Sequence, residues 1–219
     1  MDDGRVTGQT RQAEVIPLEF ADVVRSRRMS RAFDARPVPR ETIEAVVDLA
    51  TRAPSAGKTQ GWHLLILEGD AVASFWRDTL PAERRETFAW PELLDAPLIM
   101  LPFADPQMYF ARYGEHDKVG TGLGAGTDAW PVPYWTVDTS FAVMTLLLAC
   151  TDVGLGALFF AVFSGESAVR QRFGVPDELQ LLGAIAVGYP TGTDRPGRSA
   201  SRARRQARAV THWGQWTRS

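Results

Sequence analysis

The 219-residue chain has one cysteine and three histidines, and these scarcities exclude several kinds of chemistry at once. A lone Cys150 forbids any intramolecular disulfide and fits a reducing compartment, so a cytoplasmic location is expected. His63, His116 and His212 are scattered without a paired spacing, so no dedicated zinc site is expected, nor any other metal centre. The first residues are polar and lack an apolar core, so no secretory signal peptide is expected. The one long apolar run, 141–163, carries Asp152 near its middle, followed by Gly154 and Gly156. Burying that charge in hydrocarbon costs about 2.5–3.5 kcal/mol, so the run reads as buried helix, break and buried strand, not as a membrane span. Net charge is only -2, which makes nucleic acid a poor default partner. No elbow motif surrounds Ser140 or Ser164, and no convincing pair of carboxylates is spaced for acid–base work.

What is present is an ordinary globular composition, 45% hydrophobic and 23% charged. Residues 1–16 are expected to form a loose arm before a single domain over 17–219, with 190–219 as a tail. The patterns predict helices over 17–28, 40–53, 70–90 and 137–152, and a helix starting after an N-cap at Ser164 and ending at Phe173. In the second of these, Ile43, Val46, Val47 and Ala50 follow the i, i+3, i+4, i+7 rule. Short apolar runs predict strands over 62–67, 97–104, 157–163 and 181–188. Interleaved strands and helices predict an α/β (α+β) fold of three layers, with a central mixed sheet flanked by helices. Residues 114–133, rich in Gly, Asp and Thr, lack a period; a loop of that length is usually functional or mobile.

Arginine is where the chemistry concentrates. Arg25, Arg27, Arg28 and Arg31 fall within seven positions at a helix end, and Arg202, Arg204, Arg205 and Arg208 crowd the tail. Converging guanidinium forks suit a phosphate dianion, although each run taken alone also reads as a solvated face. Met29 and Phe33 interleave with the first cluster, and Trp213 and Trp216 follow the second, which argues against plain surface dressing. The loop 53–62, APSAGKTQGW, ends like a Walker A motif, but Arg52 stands where its first glycine belongs and a helix precedes where a strand should. Its small residues would instead let a flat ring approach the backbone. Gly154-Leu155-Gly156 lacks the third glycine of a dinucleotide fingerprint, that place being Phe159. It reads either as a helix cap or as a close approach to a planar ligand. A phosphate-plus-ring site without an evident acid, base or nucleophile suits a cofactor enzyme.

Four stretches together resemble the nitroreductase family: RRMSRAF at 27–33 with PVP at 37–39, APSAGKTQGW at 53–62, LLLACTDVGLGALFF at 146–160, and FGVP through IAVGYP at 173–190 with the closing THW. The resemblance covers about residue 18 to 216. It implies a homodimer with FMN at the subunit interface and an exchanged C-terminal tail. By position, Arg27, Arg28, Met29 and Arg31 would hold the phosphate and ribityl chain, joined by Arg204 or Arg205. Pro54, Ser55, Ala56, Gly57 and Gln60 would line the ring, and Leu155 and Gly156 would give backbone contacts near its reactive edge. The implied chemistry is a ping-pong transfer of hydride from NAD(P)H to nitroaromatic, quinone or similar planar electron acceptors. A flavin- or deazaflavin (F420)-binding protein with a dehydrogenase or storage role is the alternative. Met29 stands where many members carry serine, and Lys58 where asparagine is common; Lys58 would either touch the flavin's pyrimidine edge or face solvent. Trp130, Tyr134 and Trp135 fall where the family varies its substrate lid.

Overall fold

In the computed structural model, which describes residues 19–195, 197 and 199–217, a six-stranded sheet carries helices on both faces. The expected N-terminal arm, and the first residues of the first expected helix, lie outside the described residues. The elements run α1 (Phe20–Ser26), β1 (Phe33–Asp34), α2 (Arg40–Ala50), β2 (Trp62–Glu68), α3 (Asp70–Thr79), α4 (Ala82–Arg85) and β3 (Leu98–Ala104). They continue with α5 (Pro106–Tyr113), α6 (Tyr134–Asp152), β4 (Gly156–Phe160), α7 (Glu166–Phe173), β5 (Gln180–Leu181) and β6 (Ala184–Pro190).

The side-chain alternation of the central strands shows why three layers form. On β3, Leu98 and Met100 enter one core with α2 and α6, while Ile99, Leu101 and Phe103 enter a second core with α3 and α7. On β6, Ile185 and Val187 face the first core, and Ala184 and Ala186 the second. Successive residues of a strand point to opposite faces, so strands covered on both sides must be apolar throughout. A mixed sheet was expected because strands and helices interleave along the chain. The pairing differs: β2–β3, β3–β5, β3–β6, β4–β6 and β1–β6 are all antiparallel, and the parallel contact is an isolated bridge between Met29 and Ala157.

Element boundaries shift for local reasons. The helix expected over 70–90 stops at Thr79 and resumes briefly as α4, because Pro81 cannot continue it. The N-cap of α7 is Gly165 (φ 79°), not Ser164, whose hydroxyl donates to the Thr79 carbonyl at 3.0 Å. Gly165 is required twice over: a Cβ there would lie 2.0 Å from the Asp78 carbonyl oxygen, on a left-handed backbone. At the same junction Arg172 of α7 grips Asp78 of α3 through two bonds, Nε at 2.6 Å and Nη2 at 2.9 Å. Among the described residues no helix is long and apolar enough to cross a membrane.

The Arg172 hydrogen bonds hold the Asp78 carboxyl below its usual range. A depressed folded-state pKa gives stabilisation that is present above the ordinary carboxylate value and lost as pH falls through the depressed one. Asp78→Asn is therefore expected to lower the urea midpoint at neutral pH and to flatten its fall on acidification. Equal acid slopes in both proteins would show that the pair does not couple folding to pH.

Candidate functional site

The four arginines in and just after α1 do not act alike. Arg25 pairs with Asp22 on the exposed face of α1 at 3.4 Å. Arg28 turns back on the helix, and its Nη1 donates to the carbonyls of Arg25 (2.7 Å), Ser26 (3.0 Å) and Arg27 (3.0 Å). It thereby satisfies carbonyls that the helix end leaves open. Arg31 donates from Nη1 to the Met29 carbonyl at 2.9 Å, and its guanidinium lies 5.0 Å from the centre of the Trp90 ring. Its own N–H donates to Asp194 at 2.5 Å, and the Thr191 N–H donates to the Ala32 carbonyl, so the start of the tail folds over this segment. Arg27 is different: its Nη1 is fully buried and has no partner among the described residues. A buried charged donor left open is costly, and an anion is what would satisfy it.

The glycine turn after α6 lies directly beside these arginines. The Ser30 N–H donates to the Ala157 carbonyl at 3.1 Å, next to the Met29–Ala157 bridge. A Cβ on Gly156 would stand 2.8 Å from Ser30 Oγ, so glycine is what permits the approach. The Leu155 side chain is buried in the first core, and its N–H donates to the Cys150 carbonyl at 2.8 Å. Next to Arg31 opens a cavity of about 390 Å³ whose wall includes Trp76, Arg84, Trp90, Phe160 and Phe163. Trp76 and Phe160 stack with centroids 5.6 Å apart and planes within 6°. Trp76 is only 6% exposed, and its indole nitrogen has no partner among the described residues. Sequence reasoning missed this cavity because its aromatics read as ordinary core. The available signal was the apolar run to 163, which outlasts β4 and leaves Phe163 94% exposed.

The loop 53–62 forms a second locus. Gly57 (φ 62°), Lys58 (φ 56°) and Gln60 (φ 53°) all adopt left-handed backbone, and two of them carry side chains. Such strain persists only where surroundings hold it. Here the Ala56 N–H donates to Asp138 Oδ2 at 2.7 Å, Ser55 Oγ accepts from the Gln60 N–H at 2.9 Å, and Thr59 Oγ1 donates to the Ala56 carbonyl at 2.6 Å. The Tyr109 hydroxyl donates to the same Asp138 oxygen at 2.7 Å. Burial first, and then the bond to Asp138, push the Tyr109 phenol far above its usual range, so it remains a donor. Gly61 lies against that ring; a Cβ there would come within 2.6 Å of it. Arg52, Pro54, Ser55, Lys58 and Gln60 line an open groove of about 580 Å³, which places Lys58 at a recess while leaving it exposed. Asp138 was not foreseen. From sequence it was one carboxylate in an apolar helix, and its partners lie 82 and 29 residues away.

These two loci sit toward opposite ends of α6. Asp138 anchors the loop near the start of the helix, and Gly156 meets Ser30 just beyond its end. Fourteen residues separate Asp138 from Asp152, about 21 Å at 1.5 Å per residue. The chain thus does not gather its arginine segment and its small-residue loop into one place. The other expected residues are placed as follows. Arg204 and Arg205 are exposed, and Arg205 donates to the Ala209 carbonyl. Trp130 and Trp135 are buried against Tyr109, with ring centroids 5.9 and 6.3 Å from it. The Trp130 indole donates to the Leu123 carbonyl and that of Trp135 to Gln180, which leaves Tyr134 as the exposed member of the three. No group of three His, Cys, Asp or Glu side chains among the described residues is placed to hold a metal ion.

A model of the Nitroreductase family matches residues 24–189. The chain belongs to that family. It is 28% identical to a 4-nitrobenzoate reductase of Nocardioides over 200 residues, covering 78% of this chain and 80% of that one. It is 25% identical to an NADH dehydrogenase of Thermus thermophilus, covering 84% and 93%. The nitroreductase fold is shared with a nitroreductase family protein of Streptococcus pneumoniae, at 18% identity, TM-score 0.69, and coverage of 89% and 99%. It is shared as well with an iodotyrosine deiodinase structure bound to FMN and 3-iodo-L-tyrosine, at 22% identity, TM-score 0.66, and coverage of 90% and 100%. Membership supports an oxidoreductase, and structures within this fold hold FMN.

Tyr109→Phe removes one of the two donors to the buried Asp138 carboxylate. It is expected to destabilise the nitroreductase chain by about 1.5–3 kcal/mol in urea denaturation, as for hydrogen bonds to charged groups. A change within 0.5 kcal/mol would show that Asp138 does not depend on the phenol.

Proposed function

We propose that this chain is a homodimeric oxidoreductase that binds FMN between subunits and passes electrons from NAD(P)H to nitroaromatic, quinone or similar planar acceptors. The observation that carries the reading is the Arg27 nitrogen, buried and without a partner among the described residues. A donor in that condition at the end of an arginine segment fits a phosphate monoester, whose oxygens accept from guanidinium forks. Arg31 stands next in line, and Arg28 would contribute to the same charge while capping α1. Met29 supplies the strand-like bridge that keeps the segment against Ala157, and Arg204 or Arg205 would join from the tail. The ring would follow the backbone at Leu155 and Gly156 into the aromatic cavity beside Arg31, where the stacked Trp76 and Phe160 exclude water.

The cover of the ring is assigned to the partner. Pro54, Ser55, Ala56, Gly57 and Gln60 form a preshaped small-residue surface, but it lies at the other end of α6 from its own arginines. A second copy, placed across α6, would bring the partner subunit's loop over the cavity. The outer face of α6 fits that role: Val137, Phe141, Met144 and Leu148 recur at i, i+4, i+7, i+11, and Phe141 is 46% exposed. Bound FMN supplies the two-electron redox chemistry. The chain's own groups position donor and acceptor in turn over one slot and exclude solvent. Tyr134, exposed at the start of α6, is the lid residue free to meet an acceptor, and Trp130 and Trp135 hold the wall behind it.

The purified protein is expected to be yellow, to release FMN on heating, and to oxidise NADH or NADPH with menadione or a nitrofuran as acceptor. A colourless protein whose melting temperature is indifferent to added FMN would overturn the reading. Within it, Arg27→Ala is expected to weaken FMN binding at least tenfold, about 1.4 kcal/mol, in a fluorescence titration. Arg28→Ala is expected to act mainly on melting temperature, because Arg28 already serves the α1 carbonyls.

A further inference from the structure

The segment 114–133, expected from its composition to be a functional or mobile loop, is tied to the small-residue loop through Arg112. Arg112, on the last turn of α5, donates from Nε to the Gly57 carbonyl at 2.9 Å. Its Nη1 donates to Glu115 at 3.0 Å and to Asp117 at 2.7 Å, and its Nη2 donates to Asp117 at 2.8 Å. One guanidinium therefore joins three stretches of chain: α5, the loop at 57 and the start of the segment at 115–117. Its side chain is 23% exposed, whereas those of Glu115 and Asp117 are 61% and 57% exposed. The fork lies inside and the carboxylates cover it from outside.

We propose that Arg112 is a positioning residue, a strut that fixes the Gly57 carbonyl and so holds the loop surface that covers the cofactor. The proposal rests on the reading that this loop faces FMN. The peptide before Ala56 and the peptide after Gly57 are each held from outside the loop. On one side the Ala56 N–H is fixed by Asp138; on the other the Gly57 carbonyl is fixed by Arg112. Between these two clamps the backbone turns left-handed and stays so at Lys58, where a side chain makes that conformation costly. Gly57 also lies against Tyr113; a Cβ there would stand 3.1 Å from its ring. Without the second clamp, Lys58 has a route back to ordinary backbone.

The same fork explains why the segment is a wall and not a flap. Asp117 is held by two guanidinium nitrogens, and the Trp130 indole closes the far end on the Leu123 carbonyl. Gly124 packs so closely on α5 that a Cβ there would fall 2.9 Å from the Gly114 nitrogen. Only arginine meets all of these acceptors, because a lysine ammonium has no rigid fork to span a carbonyl and a carboxylate together.

The test measures two things on the full-length chain. Amide exchange, followed by mass spectrometry without added flavin, reports the loop over 54–61, with β3 (98–104) as internal reference. FMN affinity is measured separately by fluorescence titration. Arg112→Ala is expected to accelerate exchange at 54–61 while leaving 98–104 unchanged, and to weaken FMN binding about tenfold. Arg112→Lys is expected to show the same loop effect in smaller degree, and it covers the case in which the alanine variant does not fold. Asp117→Asn, which loosens the outer fork but keeps the bond to Gly57, is expected to change FMN affinity less than Arg112→Lys. Unchanged exchange at 54–61 in a folded Arg112 variant would overturn the strut. Faster exchange with unchanged FMN affinity would overturn its role in positioning. A wild-type chain that binds no FMN would defeat the functional reading and the positioning role together, while the exchange data would still decide whether Arg112 holds the loop.

Discussion

A carboxylate buried in an apolar helix governs one end of this molecule. Asp138 is 5% exposed, and burying a charge is tolerable only where donors converge on it. The donors are the Ala56 N–H and the Tyr109 hydroxyl, both on Oδ2. Meeting that demand fixes the loop after α2 and the aromatic side of α5 in one stroke. Tyr109 then carries the contacts with Trp130 and Trp135, and Gly61 has no room for a side chain because the Tyr109 ring is there. The left-handed run at Gly57, Lys58 and Gln60 depends on the same anchor.

The other end is governed by a donor still in want of an acceptor. Arg25, Arg28 and Arg31 each have protein partners, and Arg27 keeps a buried nitrogen without one among the described residues. One end of α6 is thus held by bonds within its own chain, and at the other a buried Arg27 donor has no partner among the described residues. A chain with a net charge of only -2 can concentrate positive potential in this way because its arginines cluster.

The sequence was legible wherever local rules decide. The periodicity of α2, the apolar runs of the central strands and the stop at Phe173–Gly174 all rest on spacing within a few residues, and they appear where expected. The arginine and small-residue signatures were visible for the same reason, being short and contiguous. What local rules do not carry was missed. The sheet's antiparallel pairing was hidden because Ile99 and Met100 are equally apolar, whichever direction the neighbouring strand runs. Trp130 and Trp135 were placed at the lid by the family resemblance alone, and their packing against Tyr109 was not readable from their own loop. Asp138 and Arg112 looked unremarkable because their importance lies in bonds spanning 82 and 55 residues. The aromatic cavity was concealed by the fact that cavity walls and cores use the same side chains.

In the proposed dimer each cofactor site takes its arginines from one chain and its small-residue loop from the other. Complementation between two inactive variants distinguishes this arrangement from one in which a single chain builds each site. Arg27→Ala disables the anion end, and Gly57→Val disables the loop by strain and by contact with Tyr113. Co-expressed with different tags and purified through both, the mixed dimer contains one site with both defects and one with neither. The mixed dimer is expected to bind one FMN, although each variant alone binds little. A mixed dimer as empty as its parents would place both halves of the site on the same chain and rule out the shared site.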